Sequence, residues 1–146
     1  MSRLEGRDLA QVLARKAEGD AKVARKLAPD SEIDDEAVGF HAQQAIEKWI
    51  KAVMALQRLK ESRIHDLGRL LEILDEAGVD LPPGADWLDD LSIYAVPLRY
   101  ADLLDAEPLD RKATISLIDE VGEWAAEKLK AALSRPESVQ TSPRPI

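Results

Sequence analysis

The side chains with the strongest potential for chemistry are a histidine and an arginine–tyrosine pair. His65 could serve as an acid or a base in a proton transfer. Arg99 and Tyr100 follow a proline that breaks a predicted helix, so a cation and a phenol are presented together. The three candidate catalytic residues are therefore His65, Arg99 and Tyr100, which could stabilise phosphate charge and transfer a proton. Structural alternatives stay open: His65 or Asp66 caps a helix, and Arg99 pairs with Asp102.

A second group of polar side chains follows one long predicted helix and the turn after it. Residues 48–63 contain five basic side chains and one acidic one, which makes this stretch the one place that resembles a phosphate-binding surface. Basic residues also favour a helix C-terminus, and a polar flank could pack at a dimer seam, so these alternatives stay open. The candidate ligand-binding residues are Gln44, Lys48, Lys51, Arg58 and Arg63.

The elements that must position these residues are helices almost throughout the chain. Ala, Leu, Glu, Lys and Arg dominate, and the alternation typical of strands is missing. Apolar spacing predicts helices over about 6–27, 34–60, 66–77 and 110–133, with a shorter helix from about residue 86 that Pro97 kinks. This pattern predicts an all-α, up-and-down bundle of four long helices plus a shorter kinked helix over residues 1–133. The proline-containing segment 134–146 is predicted to be a disordered tail.

The second predicted helix has an unusually broad apolar surface. Ile50 and Met54 widen its apolar stripe to roughly 200°, against roughly 100° for an ordinary surface helix. Such a helix lies at the centre of its bundle, or one flank meets a partner chain, and we expect both. The pattern therefore predicts a homodimer in which Ile50 or Met54 is buried.

Composition excludes several classes of protein. The chain has 20 basic and 28 acidic side chains and a formal net charge of −8, which argues against a general nucleic-acid coat. The absence of cysteine excludes disulfides, cysteine-based zinc sites and cysteine nucleophiles. His41 and His65 are the two histidines, placed too far apart to share a metal ion, and no glycine-rich phosphate loop is present, so we expect neither a metal nor a cofactor. No apolar run approaches the roughly 20 residues of a membrane span, and we expect a cytoplasmic protein.

Helix order predicts that the two candidate catalytic groups meet. The third helix leads away from His65 and the shorter helix returns, so Arg99 and Tyr100 should come back to the same end of the bundle. We therefore expect one polar pocket that is framed by Arg58, Arg63, His65, Arg99 and Tyr100.

Three motifs together resemble the HEPN domain of prokaryotes. They are FHAQQAIEKWIKA at 40–52, IHDLGRLL at 64–71 and LRYAD at 98–102, and their order and spacing match the family over about residues 9–133. The resemblance implies a helical bundle that dimerises through its central helices. Members of this family include toxins and defence ribonucleases, and many small ones are encoded beside a minimal nucleotidyltransferase. Others are thought to bind nucleotides.

The ribonuclease signature of that family is incomplete in this sequence. The signature is an arginine followed four to six residues later by a histidine, and it acts without metal at a dimer cleft. No histidine follows Arg99, and Tyr100 adjoins it directly. Arg58 and His65 have the required spacing but occur early in the fold.

Three functional hypotheses follow from the sequence. The first is a nucleotide- or partner-binding module of a toxin–antitoxin or defence system, with RNA, a nucleotide or a minimal nucleotidyltransferase as its partner. The missing late histidine and the acidic segment 86–110, with seven acids and one base, favour this reading. The second is a metal-independent HEPN ribonuclease toxin. The third is a plain helical oligomer without a ligand site.

Overall fold

The fold is a bundle of helices of unequal length. The computed structural model describes residues 6–60, 63–95 and 107–135. Within these ranges the chain forms α1 (Gly6–Leu27), α2 (Asp35–Leu56), α3 (Leu67–Glu76), α4 (Ala85–Leu88), a 3-10 helix (Asp89–Ala95) and α5 (Arg111–Leu133). The all-α bundle predicted from the sequence is confirmed, with α1, α2 and α5 as its long members. No helix of the described part is both long and apolar enough to cross a membrane.

Four sequence-based expectations concern residues outside the described ranges. They are the kink at Pro97, the positions of Arg99 and Tyr100, and most of the predicted tail 134–146.

α2 ends earlier than its apolar pattern predicts. Its last helical residue is Leu56, because Arg58 adopts a left-handed conformation with a φ of 54°. The amide of Leu59 then donates to the carbonyl oxygen of Met54 (2.9 Å), which closes the helix end. The basic residues that follow therefore lie in a turn and not on a helix.

α3 begins at a capped N-terminus. The Asp66 carboxylate accepts a hydrogen bond from the amide of Arg69 (3.1 Å), so Asp66 rather than His65 caps this helix. The cap leaves His65 free for contacts with α2.

α2 runs through the centre of the bundle. Ile50 and Met54 are 0% and 1% exposed within a single chain. They pack in one core with α1, α3, the 3-10 helix and α5. Both residues are buried within one chain, so the central position of α2 accounts for their part of the broad apolar arc, and the homodimer stays a prediction.

Small side chains form the contact between α1 and α2. The buried residues are alanines on both helices, and they are fully inaccessible to solvent: Ala10, Ala17, Ala21 and Ala24 from α1, and Ala42, Ala45 and Ala52 from α2. Alanines allow two helix axes to approach closely. This close contact brings the polar residues at the edges of the two helices within reach of each other.

One arginine fixes the start of α5 against the loop between α1 and α2. The Nε of Arg111 donates to Oδ1 of Asp35 (2.9 Å). Its two terminal nitrogens donate to the carbonyl oxygens of Ala28, Asp30 and Ile33. A guanidinium has five donors in a fixed plane, which suits it to gather several acceptors of one loop. We refer to these contacts as the Arg111 clamp.

Candidate functional site

A buried carboxylate on α2 is the centre of the candidate site. Glu47 is 5% exposed, and its Oε1 accepts a hydrogen bond from Nε2 of Gln43 (2.7 Å). Its Oε2 lies 3.1 Å from Nζ of Lys51 and 3.0 Å from Nδ1 of His65. Gln43 and Lys51 are one helical turn before and after Glu47 on α2, whereas His65 comes from the segment before α3. The site therefore depends on both the helix and the turn that follows it.

The Glu47 carboxylate stays ionised despite its burial. Burial raises the pKa of Glu47, but hydrogen bonds from Gln43 and His65 and the charge of Lys51 outweigh burial, so the pKa lies below its ordinary value. An ionised carboxylate only accepts hydrogen bonds, so Nδ1 of His65 must donate. The His65 side chain is 56% exposed, and its Nε2 has no partner among the described residues. A histidine with one ring nitrogen held by a carboxylate and the other free is arranged as a general base.

A second polar cluster joins α1 to α2. The Asp20 carboxylate contacts Nδ1 of His41 (3.1 Å) and pairs with Lys48. Gln44 lies between the two clusters along α2, and its Nε2 donates to Oε1 of Gln43 (2.7 Å). Two of the predicted ligand-binding lysines thus carry intramolecular partners, Lys48 with Asp20 and Lys51 with Glu47.

The basic side chains in the turn after α2 differ from Lys48 and Lys51 in their ion pairing. Arg58, Lys60 and Arg63, which we call the basic turn, are all exposed. Over residues 6–60, 63–95 and 107–135, no carboxylate forms an ion pair with any of the three. By contrast, Arg25 and Arg69 are paired with carboxylates. The positive charge of the basic turn is therefore not paired with any carboxylate of the described residues. Arg63 is two residues from His65 in the chain, whereas the Arg58 guanidinium lies against Gly6 at the start of α1.

The N-terminus of α3 is closed to an anion. The amides of Leu67, Gly68 and Arg69 donate to the side chains of Ser92 (2.9 Å), Asp89 (3.0 Å) and Asp66 (3.1 Å), respectively. The hydrogen bonds from the Gly68 amide and the Ser92 hydroxyl lower the pKa of Asp89, so its carboxyl group is ionised at neutral pH and accepts these bonds. A phosphate near this end of the bundle would have to bind side chains and not helix amides.

The structure brings together some of the predicted site residues and not others. His65 contacts α2 through its bond to Glu47. Gln44 and Lys48 are partly exposed on the same helix, and Arg58 and Arg63 lie in the basic turn. Arg99 and Tyr100 are outside the described residues, so the five-residue pocket stays a prediction.

Two functional residues were underestimated from the sequence. Glu47 was not among the candidate site residues, yet it is buried at the centre of the site. Its signal was Gln43, an amide in the apolar arc one turn earlier that needs a partner. Asp20 was missed, although it is an acidic residue that adjoins the alanine face of α1.

The family model of the HEPN domain matches residues 10–129. The chain belongs to the HEPN family. The match spans α2, α3, the 3-10 helix and most of α1 and α5, and it includes all three motifs that carry the resemblance. This HEPN domain is accordingly a module of a nucleotide- and RNA-related family. Neither the curated proteins nor the solved structures gave a match to it.

The described part of this HEPN domain contains no metal-binding cluster. No three carboxylate or imidazole groups there are grouped so that they could hold a metal ion. The polar chemistry available in these residues is that of cations, amides and the Glu47–His65 pair.

Proposed function

We propose that this HEPN domain is a binding module for RNA or a nucleotide and that the basic turn contacts the phosphates. The positive charge of Arg58, Lys60 and Arg63, which pairs with no carboxylate of the described residues, carries the proposal, since it is concentrated on a chain whose net charge is −8. Phosphate affinity depends on local positive charge that no carboxylate of the same chain already neutralises. The closed N-terminus of α3 supports side-chain contacts over amide contacts.

The other candidate ligand-binding residues differ in their exposure to solvent. Gln44 and Lys48 are partly exposed and would contact the ligand beyond its phosphates. Lys51 is 6% exposed and would act by holding Glu47 in place. Arg99 and Tyr100 remain candidates for phosphate contact on the grounds of the sequence motif.

The salt dependence of RNA binding tests the basic turn. The double substitution Lys60→Glu and Arg63→Glu should weaken binding of a short single-stranded RNA by at least about tenfold. It should also reduce the slope of log K against log[salt] by about 1 to 2, because phosphate contacts are lost. Fluorescence anisotropy at several salt concentrations measures both quantities.

The matched control is Lys22→Glu with Lys26→Glu, two exposed bases on α1 that change the net charge equally. This control should bind RNA almost as the wild type does. Equal weakening by both double variants would mean that net charge alone governs binding. The proposal that the basic turn contacts the phosphates would then be wrong.

A second function, metal-independent RNA cleavage, is favoured by the Glu47–His65 pair. Nε2 of His65 would take the proton of a ribose 2′-hydroxyl, and the resulting oxygen would attack the adjacent phosphorus. The bond from phosphorus to the 5′-oxygen would break, the 5′-oxygen would receive the proton from His65, and a 2′,3′-cyclic phosphate would remain. Arg99 would stabilise the negative charge on the phosphorus centre.

Cleavage in the presence of EDTA tests this second function. Wild-type protein should cut RNA, and His65→Ala and Arg99→Ala should each be slower by about 10²- to 10⁴-fold. His41→Ala is the control, since His41 contacts Asp20 and not the Glu47–His65 pair. Cleavage by His65→Ala at the wild-type rate would exclude His65 as the base, and inactivity of the wild type would leave binding alone.

The wider setting is proposed on the family resemblance. We propose a cytoplasmic homodimer in a toxin–antitoxin or defence system, with a minimal nucleotidyltransferase as its protein partner. We also keep the predicted domain boundary, with the HEPN bundle assigned to residues 1–133. A chain that bound neither RNA nor a nucleotide would leave two hypotheses, a module that binds a partner protein and a plain helical oligomer.

A further inference from the structure

A groove lies at the acidic part of the chain, between the 3-10 helix and the first half of α5. It encloses about 870 Å³ among described residues. Leu91, Tyr94 and Leu117 line it as buried or partly buried apolar side chains. Trp87 and Ile93 line it as well, and they are 68% and 46% exposed. We call this feature the acidic groove.

The exposed tryptophan is the first sign of an interaction surface. Trp49 and Trp124 are 2% and 7% exposed, so the fold has buried both of its other tryptophans. A tryptophan left in solvent beside a second exposed apolar side chain forms a patch of the kind that marks binding surfaces. Tryptophan is also among the residues most often found at energetic centres of interfaces.

The rim of the acidic groove is charged with one sign. No basic side chain is among its described lining residues. Four carboxylates line it: Asp90, Glu107, Asp110 and Glu120. Asp110 caps α5 by accepting from the amide of Ala113 (2.9 Å). The other three carboxylates form no hydrogen bond or ion pair with the described residues, so no described side chain neutralises them.

We propose that the acidic groove docks a basic amphipathic helix of a partner protein. Apolar side chains at positions i, i+3, i+4 and i+7 of that helix would enter the groove beside Trp87, and flanking Lys and Arg side chains would meet the carboxylates. The lining residues of α5 extend from Asp110 to Glu120, about 15 Å or nearly three helical turns. The groove is bordered by helical elements, so an incoming helix would pack as a further member of the bundle.

The charge of the acidic groove also separates it from the proposed RNA site. RNA would be repelled by Asp90, Glu107 and Glu120 and attracted by the basic turn. The docking proposal does not rest on the proposed function, and each can fail alone.

A designed peptide tests the docking with the full-length chain. The probe is an amphipathic peptide of about 15 residues, composed of Leu on one face and Lys on the other. Binding should protect Trp87 from acrylamide quenching, since Trp49 and Trp124 are already buried. The same peptide with Glu in place of Lys should leave the quenching unchanged.

Paired charge variants locate the peptide. Asp90→Lys with Glu120→Lys should weaken peptide binding by about tenfold or more. Asp75→Lys with Glu127→Lys changes the net charge equally outside the groove and should bind almost as the wild type does. RNA binding should be unchanged in the groove variant or should strengthen slightly.

Three results would overturn the proposal. One is no protection of Trp87 by the Lys peptide. Another is equal weakening in both double variants, which would show attraction by net charge alone. The third is a wild-type homodimer that Trp87→Glu converts to a monomer in sedimentation, because a second copy of the chain would then occupy the groove.

Discussion

Replacing Glu47 with alanine should lower the free energy of unfolding by about 3–5 kcal/mol. The substitution removes the carboxylate that pairs with the Lys51 ammonium group, and both side chains are only about 6% exposed. It also removes one of the two acceptors of the Gln43 amide nitrogen, and Gln43 is completely buried. Because natural domains are stable by only about 5–15 kcal/mol, urea denaturation should show a much lower midpoint at an unchanged slope.

A second substitution separates the stability lost with the ion pair from the stability lost through a cavity in the core. Lys51→Met in the Glu47→Ala background replaces the buried ammonium group with an apolar side chain and should recover about 1–3 kcal/mol. A double variant as unstable as Glu47→Ala alone would contradict this account, because the cost would then come from the cavity and the lost amide contacts.

The contribution of the Glu47 carboxylate to stability should depend on pH in the acid range. The pKa of Glu47 is lowered in the folded state, so its contribution to stability is fully present above its unfolded-state pKa of about 4.3. That contribution is lost as the pH falls below this value and through the lower folded-state pKa. The difference in stability between wild type and Glu47→Ala should therefore shrink with acidification, and a constant difference would contradict the assignment.

The loss of Glu47 should also change the behaviour of His65. Without the carboxylate, Nδ1 loses its acceptor and the ring loses a fixed orientation. The NMR signals of the His65 ring should change in Glu47→Gln, because a neutral amide replaces the carboxylate next to Nδ1. This variant keeps the shape of the side chain, so the change reports charge and not packing.

The second large effect is expected at the Arg111 clamp. Arg111→Ala removes the donors to one carboxylate and to three carbonyl oxygens of the loop between α1 and α2. The loop oxygens are partly exposed and can recruit water, so we expect a loss of about 2–4 kcal/mol rather than the full sum of four bonds. Thermal unfolding monitored by circular dichroism measures this loss.

Arg111→Lys is the informative companion to that substitution. Lysine keeps the charge beside Asp35, but its ammonium group cannot reach acceptors in the planar arrangement of a guanidinium. We therefore expect it to recover less than half of the lost stability. Full recovery by lysine would mean that the ion pair with Asp35 dominates. The matched control is Arg25→Ala, since its pair with Asp119 is exposed and should contribute less than about 1 kcal/mol.

Much of the fold could be predicted from periodicity and helix-stop signals. α1 begins and ends at the predicted residues because Pro29 and an apolar stripe define it. α2 was predicted too long, since Gln57, Leu59 and Lys60 all favour helix and no glycine or proline marks the end. The end depends on the left-handed Arg58, which is unusual for a residue with a side chain.

The candidate site was harder to predict because its contacts are tertiary. The pair of Glu47 with Lys51 could be read from their spacing, but its burial could not. The bond from His65 crosses 18 residues and depends on how the turn closes over α2. Arg111 gave no signal in the sequence, since nothing in its local pattern shows that a loop about 80 residues earlier will surround it.

The alanine contact between α1 and α2 has a consequence for the order of folding. Buried alanines lose no rotamer freedom, so pairing these two helices costs mainly backbone entropy. The helices are joined by a short loop, and contacts between near neighbours in the chain form fastest. The α1–α2 hairpin is thus suited to form first, as a template on which α5 docks. The Arg111 clamp would then be a late event that locks the last long helix onto an existing surface.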